Sequence, residues 1–373
     1  MKKIKTRKIA WILLSIFVTI TWIFLCDFED SDYLSDPPCN KSIKIFTATG
    51  FFGQKIYPRF LSHCSEEIRN YCGITRRKPD FEKADAVVFH ARDYSYWKSR
   101  WFFSNRNFTI PYIIWTMESP ISEQNFPSSM NLTMSYDRNS DIHFPYGNFR
   151  RHQKSGENLE EIWKMKRKSA ESGAEIAWMV SNCETENRRM EIVQKLMKLG
   201  LKIDIFGKCG IPPKKCSISE ATSKCEFDLI SPYKFYISIE NSNCKDYITE
   251  KFWRNIRNRF VVPIVLGKQL YLNAGIPEKS FIALDDFENL ERFKNFIEDM
   301  AENKTKYLEF HEWRNEFEID DVLGEGSDNH GFCKLCQDLR SKKYSKSYSK
   351  PVENWHKLED CDYKLGYRFL DDY

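Results

Sequence analysis

Between Pro232 and Gly267 the chain carries a unit whose parts admit few arrangements: two short apolar runs, Phe235 to Ile239 and Phe260 to Leu266, separated by a polar loop and an amphipathic segment. The aromatic and β-branched runs have the length and composition of buried strands. From Asp246 to about Asn258, Ile248, Phe252 and Ile256 recur on one side, while Tyr247, Glu250, Lys251 and Arg254 recur on another. That is the pattern of a helix with one apolar face. Asp246 stands where an N-cap is expected, its carboxylate able to accept from the first free backbone N–H groups. Strand, loop, helix, strand is the βαβ arrangement of nucleotide-binding sheets, in which ligands sit beyond the carboxyl ends of the strands. A helix N-terminus placed there presents unpaired N–H groups and partial positive charge, and draws phosphate. Lys251, on the first turns, adds a full charge.

The N-terminus sets the compartment. Lys2, Lys3, Lys5, Arg7 and Lys8 precede an uncharged run from Ile9 to Cys26, and Asp27, Glu29, Asp30 and Asp32 follow it. At about 1.5 Å per residue the run spans roughly 27 Å, the core of a thin bilayer. A cleaved signal peptide has a similar basic start, but this run is long and has no small-residue cleavage site ahead of Cys26. The expectation is a single-pass type II protein of the Golgi or endoplasmic reticulum: residues 1–8 a cytosolic tail, 9–26 a transmembrane signal anchor, 27–42 a stem, and the bulk lumenal. Of the twelve cysteines Cys26 lies in the anchor, and the rest meet an oxidising lumen where disulfides persist. Their odd number leaves at least one unpaired or bonded between chains. Asn40, Asn107, Asn131 and Asn303 each open an Asn-x-Ser/Thr acceptor for N-glycosylation, usable on that side of the membrane. The net charge of +4 is spread along the chain and no nucleic-acid signature is present, so no nucleic-acid partner is expected.

A chain of 373 residues, 42% hydrophobic, can bury two ordinary cores. The first domain, 43–165, has strand candidates at Ile43 to Thr47, Ala84 to Phe89 and Ile110 to Thr116, with a helix-like Pro79 to Lys83. The third strand runs into Met117-Glu118-Ser119-Pro120, where the proline stops the element and leaves Glu118 on a loop at a carboxyl end. Residues 149–173 read as a charged linker with partial helix. The second domain, 166–350, has strands at Ala174 to Ser181 and Leu201 to Phe206 around a helix from Asn187 to Leu199. After the central unit come a strand at Phe281 to Leu284 and a helix from about Leu290 to Met300. Residues 341–350 read as a flexible segment and 351–373 as a C-terminal tail. Alternating strands and connections make both domains α/β.

Tyr233-Lys-Phe-Tyr-x-x-x-Glu240-Asn241-Ser242, followed by Asp246-Tyr-Ile-Thr-Glu-Lys-Phe-Trp253, resembles the donor-binding motif of the α1,3/4-fucosyltransferases, glycosyltransferase family 10, of the invertebrate α1,3 type. Ser135-Tyr136-x-x-x-Ser140-Asp141 followed by Pro145-Tyr-Gly147, and Ser181-Asn182 with Arg189, are similar to further motifs of that family. The resemblance runs from about residue 43 to 340. It implies a GT-B-type glycosyltransferase fold, two Rossmann-like domains facing a cleft behind one transmembrane helix, with the acceptor on the first domain and GDP-fucose on the second. Glu118 then stands as the general base that takes the acceptor hydroxyl proton. Arg189 binds the donor diphosphate, with Arg188 one register step away. Among the donor-motif residues Glu240, Asn241, Tyr247, Glu250 and Lys251, Glu240 or Glu250 holds ribose or fucose hydroxyls, and Tyr247 and Lys251 meet phosphate. Tyr136 and Asp141 match weaker family positions. Trp97 and Trp101 suit either an acceptor sugar or the core.

The implied activity is an inverting α1,3-fucosyl transfer from GDP-fucose to a GlcNAc hydroxyl of a glycoprotein N-glycan in the Golgi. A second reading is an inactive lumenal glycan-binding or scaffold protein that keeps the fold; intact Glu118, Arg189, Glu250 and Lys251 speak against it. No convincing metal site is found, because the Asp-x-Asp pairs at Asp30/Asp32 and Asp360/Asp362 adjoin no strand. No cofactor is required on this reading, with manganese at most stimulating without a dedicated site. The expected partners are GDP-fucose, a GlcNAc-containing acceptor and the Golgi membrane, and a homodimer is allowed for. Cys333-Lys-Leu-Cys336 lacks the second pair that zinc would need. The resemblance joins Cys64 and Cys72 to Cys333 and Cys336, with the connectivity within the four open.

Overall fold

The structure, a computed structural model, describes residues 39–54, 58–122, 129–152, 158–166, 168–169, 172–210, 224–320, 329–344, 360–362 and 364–370. The expected anchor and nearly all of the stem lie outside the described residues, as does the Trp97 side chain; no described helix is long and apolar enough to cross a membrane. Strands β1 (Ile43–Thr47), β2 (Cys72–Thr75), β3 (Ala86–His90), β4 (Tyr112–Trp115), β5 (Leu132–Ser135) and β6 (Ile142–His143) form a parallel sheet in the order β2-β1-β3-β4-β5-β6. Helices α1 (Glu66–Tyr71) and α2 (Tyr96–Ser104) lie on its connections. Every residue of β2, β3, β4 and β5 is buried, as expected of parallel strands covered on both faces.

Strand β7 (Asn148–Arg151) and helix α3 (Leu159–Met165) carry the chain across to a second sheet. There β8 (Ile176–Met179), α4 (Arg189–Lys198), β9 (Ile203–Phe206), α5 (Lys224–Ile230), β10 (Phe235–Ile237), α6 (Glu250–Asn258), β11 (Val262–Val265), α7 (Lys268–Asn273) and β12 (Ile282–Ala283) follow in turn. The sheet is parallel in the order β12-β11-β10-β8-β9, so the expected βαβ unit at Pro232 to Gly267 lies in its middle. Helices α8 (Leu290–Glu302) and α9 (Lys304–Glu309) complete this layer; β13 (Phe317–Asp320) pairs antiparallel with β7, and α10 (Gly331–Arg340) returns to the first sheet. Helix α10, within the expected second domain of 166–350, packs on β1 and β6 of the first sheet. Two covalent ties hold it there, Cys64–Cys333 and Cys72–Cys336, which fixes the pairing that the sequence leaves open.

The halves also meet through close packing. Gly147 lies so near the Trp253 indole on α6 that a Cβ would come within 2.4 Å of the ring. Phe149 adds contacts to Trp253 and Trp313 at centroid distances of 5.5 and 5.0 Å.

The helix expected from Asp246 begins a turn later, at Glu250, with Thr249 as its N-cap. Asp246 instead takes a left-handed backbone conformation, φ 58°, and its carboxylate accepts from Arg138 N at 3.3 Å. Apolar spacing located the helix, but the turn chemistry of residues 244–248 moved its start. In the described part of the C-terminal tail, Cys361 is bonded to Cys244 and Phe369 is buried in the second core.

Candidate functional site

The carboxyl ends of β4 and β10 are brought face to face. Within 111–120 every residue is buried except Glu118, which is half-buried and held by its own N–H, donating to Thr116 Oγ1 at 3.0 Å. Its Oε2 accepts a hydrogen bond from Tyr247 Oη at 3.2 Å, across the two halves. Beside it Ser119 Oγ donates to Ser242 Oγ at 2.8 Å in a buried contact, and Tyr146 Oη donates to the Met117 carbonyl at 2.5 Å. The Tyr136 ring lies 5.0 Å from that of Tyr247. Asp141 is spent within the first sheet, accepting from Thr133 N and Oγ1 at 2.9 Å each. Trp101 packs on Phe81 and Phe102, against a core cluster of the first domain.

The loop after β10 is built around a buried carboxylate. Glu240 accepts from Thr249 N at 2.8 Å and from Thr249 Oγ1, clipping the loop to the start of α6. Lys251 Nζ lies 3.2 Å from Glu240 Oε2, 3.3 Å from Glu250 Oε1 and 2.9 Å from Thr249 Oγ1. Burial pushes the Glu240 carboxyl up, with Lys251 opposing. Burial also works against the charge on Lys251, but Glu240 and Glu250 outweigh it and raise the ammonium above its ordinary value. Glu250, more exposed, is held below the usual carboxylate value by Lys251 and Arg254 against the upward push of burial. Asn241 Oδ1 is buried and has no hydrogen-bond partner among the described residues. A small cavity lies between this loop and Leu266, Gly267, Leu270 and Tyr271.

Arg189 sits under the loop, 2% exposed, donating from Nη1 to the Ile239 carbonyl at 2.7 Å and from Nη2 to Asn182 O at 3.1 Å. Burial lowers its pKa, while Glu240 and Tyr247 act the other way. Arg188 takes φ 54°, turns to the surface and pairs with Glu191, so Arg189 is the one that faces the loop. The structure thus brings Glu118, Arg189, Glu240, Asn241, Tyr247, Glu250 and Lys251 to one region.

Some participants were not foreseen. Asn187, fully buried, donates through Nδ2 to Glu240 O at 2.9 Å and Asn243 Oδ1 at 3.1 Å. Ser119, Ser242 and Thr249 join it. For Thr249 a signal existed, a threonine directly before an acidic first turn. The Cys183–Cys209 bond fixes the loop after β8. Among the glycosylation candidates Asn40 and Asn107 are exposed, Asn303 caps α9, and Asn131 Oδ1 accepts from Arg106 and from Tyr112 N. Among the described residues no three His, Cys, Asp or Glu side chains converge as a metal site. Glu118 can take a proton, and Lys251 with the N-terminus of α6 can steady departing negative charge.

A family model described as glycosyltransferase family 10 (fucosyltransferase) C-term matches residues 165–355, and one described as fucosyltransferase, N-terminal, matches residues 40–147. The chain is 39% identical to alpha-(1,3)-fucosyltransferase fut-6 of Caenorhabditis elegans, over 90% of this chain and 85% of that protein. It is 41% identical to alpha-(1,3)-fucosyltransferase fut-5 of the same organism, over 88% and 86%. A crystal structure of an alpha1,3-fucosyltransferase with GDP-fucose superposes with a TM-score of 0.50 at 15% identity, covering 86% of this chain and 97% of that one, which shows a shared fold. The chain therefore belongs to the glycosyltransferase family 10 fucosyltransferases.

Proposed function

We propose that this fucosyltransferase is an inverting α1,3 enzyme that moves fucose from GDP-fucose to a GlcNAc hydroxyl of a glycoprotein N-glycan, as a type II protein of the Golgi membrane. The observation that carries the reading is the Tyr247–Glu118 hydrogen bond, which sets the candidate base of the first half against the donor motif of the second. The acceptor hydroxyl gives its proton to Glu118. Its oxygen bonds to the anomeric carbon of fucose as the bond from that carbon to the diphosphate oxygen breaks, and the electron pair leaves on GDP. Lys251, Tyr247 and the N-terminus of α6 steady the departing phosphate, with Arg189 adding positive charge beneath. Asn241 and Glu250 supply polar groups for sugar hydroxyls. Manganese is assigned a stimulating role without a dedicated site. The apolar run 9–26 and the acceptors at Asn40 and Asn107 support the lumenal orientation.

Glu118→Gln tests it: kcat should fall by about 10²–10⁴, the usual worth of a positioned base, with GDP affinity retained. Full transfer by this variant would remove Glu118 from the role. A GDP-release assay of the wild type with and without acceptor separates the enzyme from a glycan-binding scaffold.

A further inference from the structure

Residues 360–362 and 364–370 lie as a strap along the carboxyl edge of the second sheet that the proposed chemistry does not use. Lys245 N donates to Asp360 O at 2.8 Å, Asp362 N to Asn243 O at 2.7 Å, and Asn243 Nδ2 to Asp362 O at 3.1 Å, around the Cys244–Cys361 bond. Further on, Leu365 packs on Gly267, where a Cβ would lie 2.6 Å from it. Gly366 approaches the backbone of Asn187 so closely that a Cβ would sit 2.0 Å from its carbonyl oxygen. Arg368 Nη2 donates to Asp285 O at 3.0 Å. The strap therefore touches the connections that leave β8, β10, β11 and β12.

The loop it grips has little regular structure of its own. Residues 241–249 contain only a bridge and turns, with Asp246 in a conformation that L residues adopt at a cost of about 1 kcal/mol or more. Asn187, which meets the strap through its carbonyl, holds the same loop through Glu240 O and Asn243 Oδ1.

We propose that residues 360–362 and 364–370, with the Cys244–Cys361 bond, are a positioning element of the donor site, holding loop 240–246 in the conformation that receives the nucleotide sugar. The inference rests on the donor reading above. A loop released from the strap spends only part of its time in that conformation, and apparent donor affinity falls by that fraction. The test uses the full chain, the double variant Cys244→Ala/Cys361→Ala, and Gly366→Ala, which leaves the bond intact but pushes the strap off Asn187. Initial rates over a grid of GDP-fucose and a GlcNAc-terminated acceptor are combined with GDP titration calorimetry. The donor KM and the GDP Kd should rise about five- to tenfold in both variants, with kcat and the acceptor KM within about twofold. A merely structural strap would lower kcat through loss of folded enzyme and leave the donor KM and GDP Kd unmoved, which overturns the proposal. Gly366→Ala decides the matter if the double variant does not fold. A wild type that neither binds GDP nor transfers fucose overturns the donor reading itself, an outcome distinct from a binding wild type with unaltered variants.

Discussion

Replacing Glu240 by Gln separates a scaffold role for this carboxylate from direct contact with a ligand. The amide oxygen can still accept from the Thr249 N–H and hydroxyl, so the change isolates the charge opposite Lys251. At 3.2 Å and an effective dielectric of about 20, the pair is worth about 5 kcal/mol before desolvation. Breaking a buried pair by removing one partner costs about 3–5 kcal/mol. Here the Lys251 side chain is 23% exposed and Glu250 remains 3.3 Å away, which brings the expected loss to about 2–3 kcal/mol. Urea unfolding at pH 7 measures it. A pocket one negative charge poorer should also hold GDP more tightly, about fivefold, so that saturating GDP returns about 1 kcal/mol more to the variant than to the wild type. Unchanged stability together with weaker GDP binding would refute the reasoning and make Glu240 a ligand contact.

Other outcomes are open to the same instruments. His330 is buried and stacked on His63 at 4.8 Å, and burial first, then His63, pulls its pKa down to about 3 from 6.5. Between those values the unfolded chain binds more protons, so this group's contribution is complete above pH 6.5 and falls as pH drops, by about 1.4 kcal/mol per unit. About 2 kcal/mol should be lost by pH 5, and His330→Phe should flatten that slope in urea midpoints; an unaltered slope contradicts the assignment. Gly147→Ala should cost about 1–3 kcal/mol, because its Cβ would strike the buried Trp253 ring, and a wild-type melting temperature would count against the tight seam. Non-reducing peptide mapping should return Cys64 with Cys333 and Cys72 with Cys336, and the crossed pairs would disprove the register in which α10 docks.

What was readable in the sequence follows the strength of local signals. β1 fills the expected Ile43–Thr47, and the other strands named from apolar runs agree to about two residues at each end, because a parallel strand buried on both faces needs a continuous apolar run. β7 could not be seen: Asn148-Phe-Arg-Arg has a single apolar residue and is a strand only because Phe317 to Asp320 pairs with it from far along the chain. The site residues were found by motif, yet their local geometry was not. Nothing in the spacing told Arg188 from Arg189, since the left-handed backbone at Arg188 is set by the turn before α4. The Cys244–Cys361 bond was equally hidden, because no rule of spacing links a loop to a segment 117 residues later.

The return of α10 to the first sheet also dictates an order of assembly. Cys64 and Cys72 lie 269 and 264 residues ahead of their partners, an interval that a ribosome working at about 5–20 residues per second takes on the order of tens of seconds to cover. Through that interval the early thiols stand exposed while Cys183 and Cys209, only 26 residues apart, emerge as competitors. A newly made chain can thus close the wrong ring first, and its yield of active protein should depend on how readily its surroundings exchange one disulfide for another.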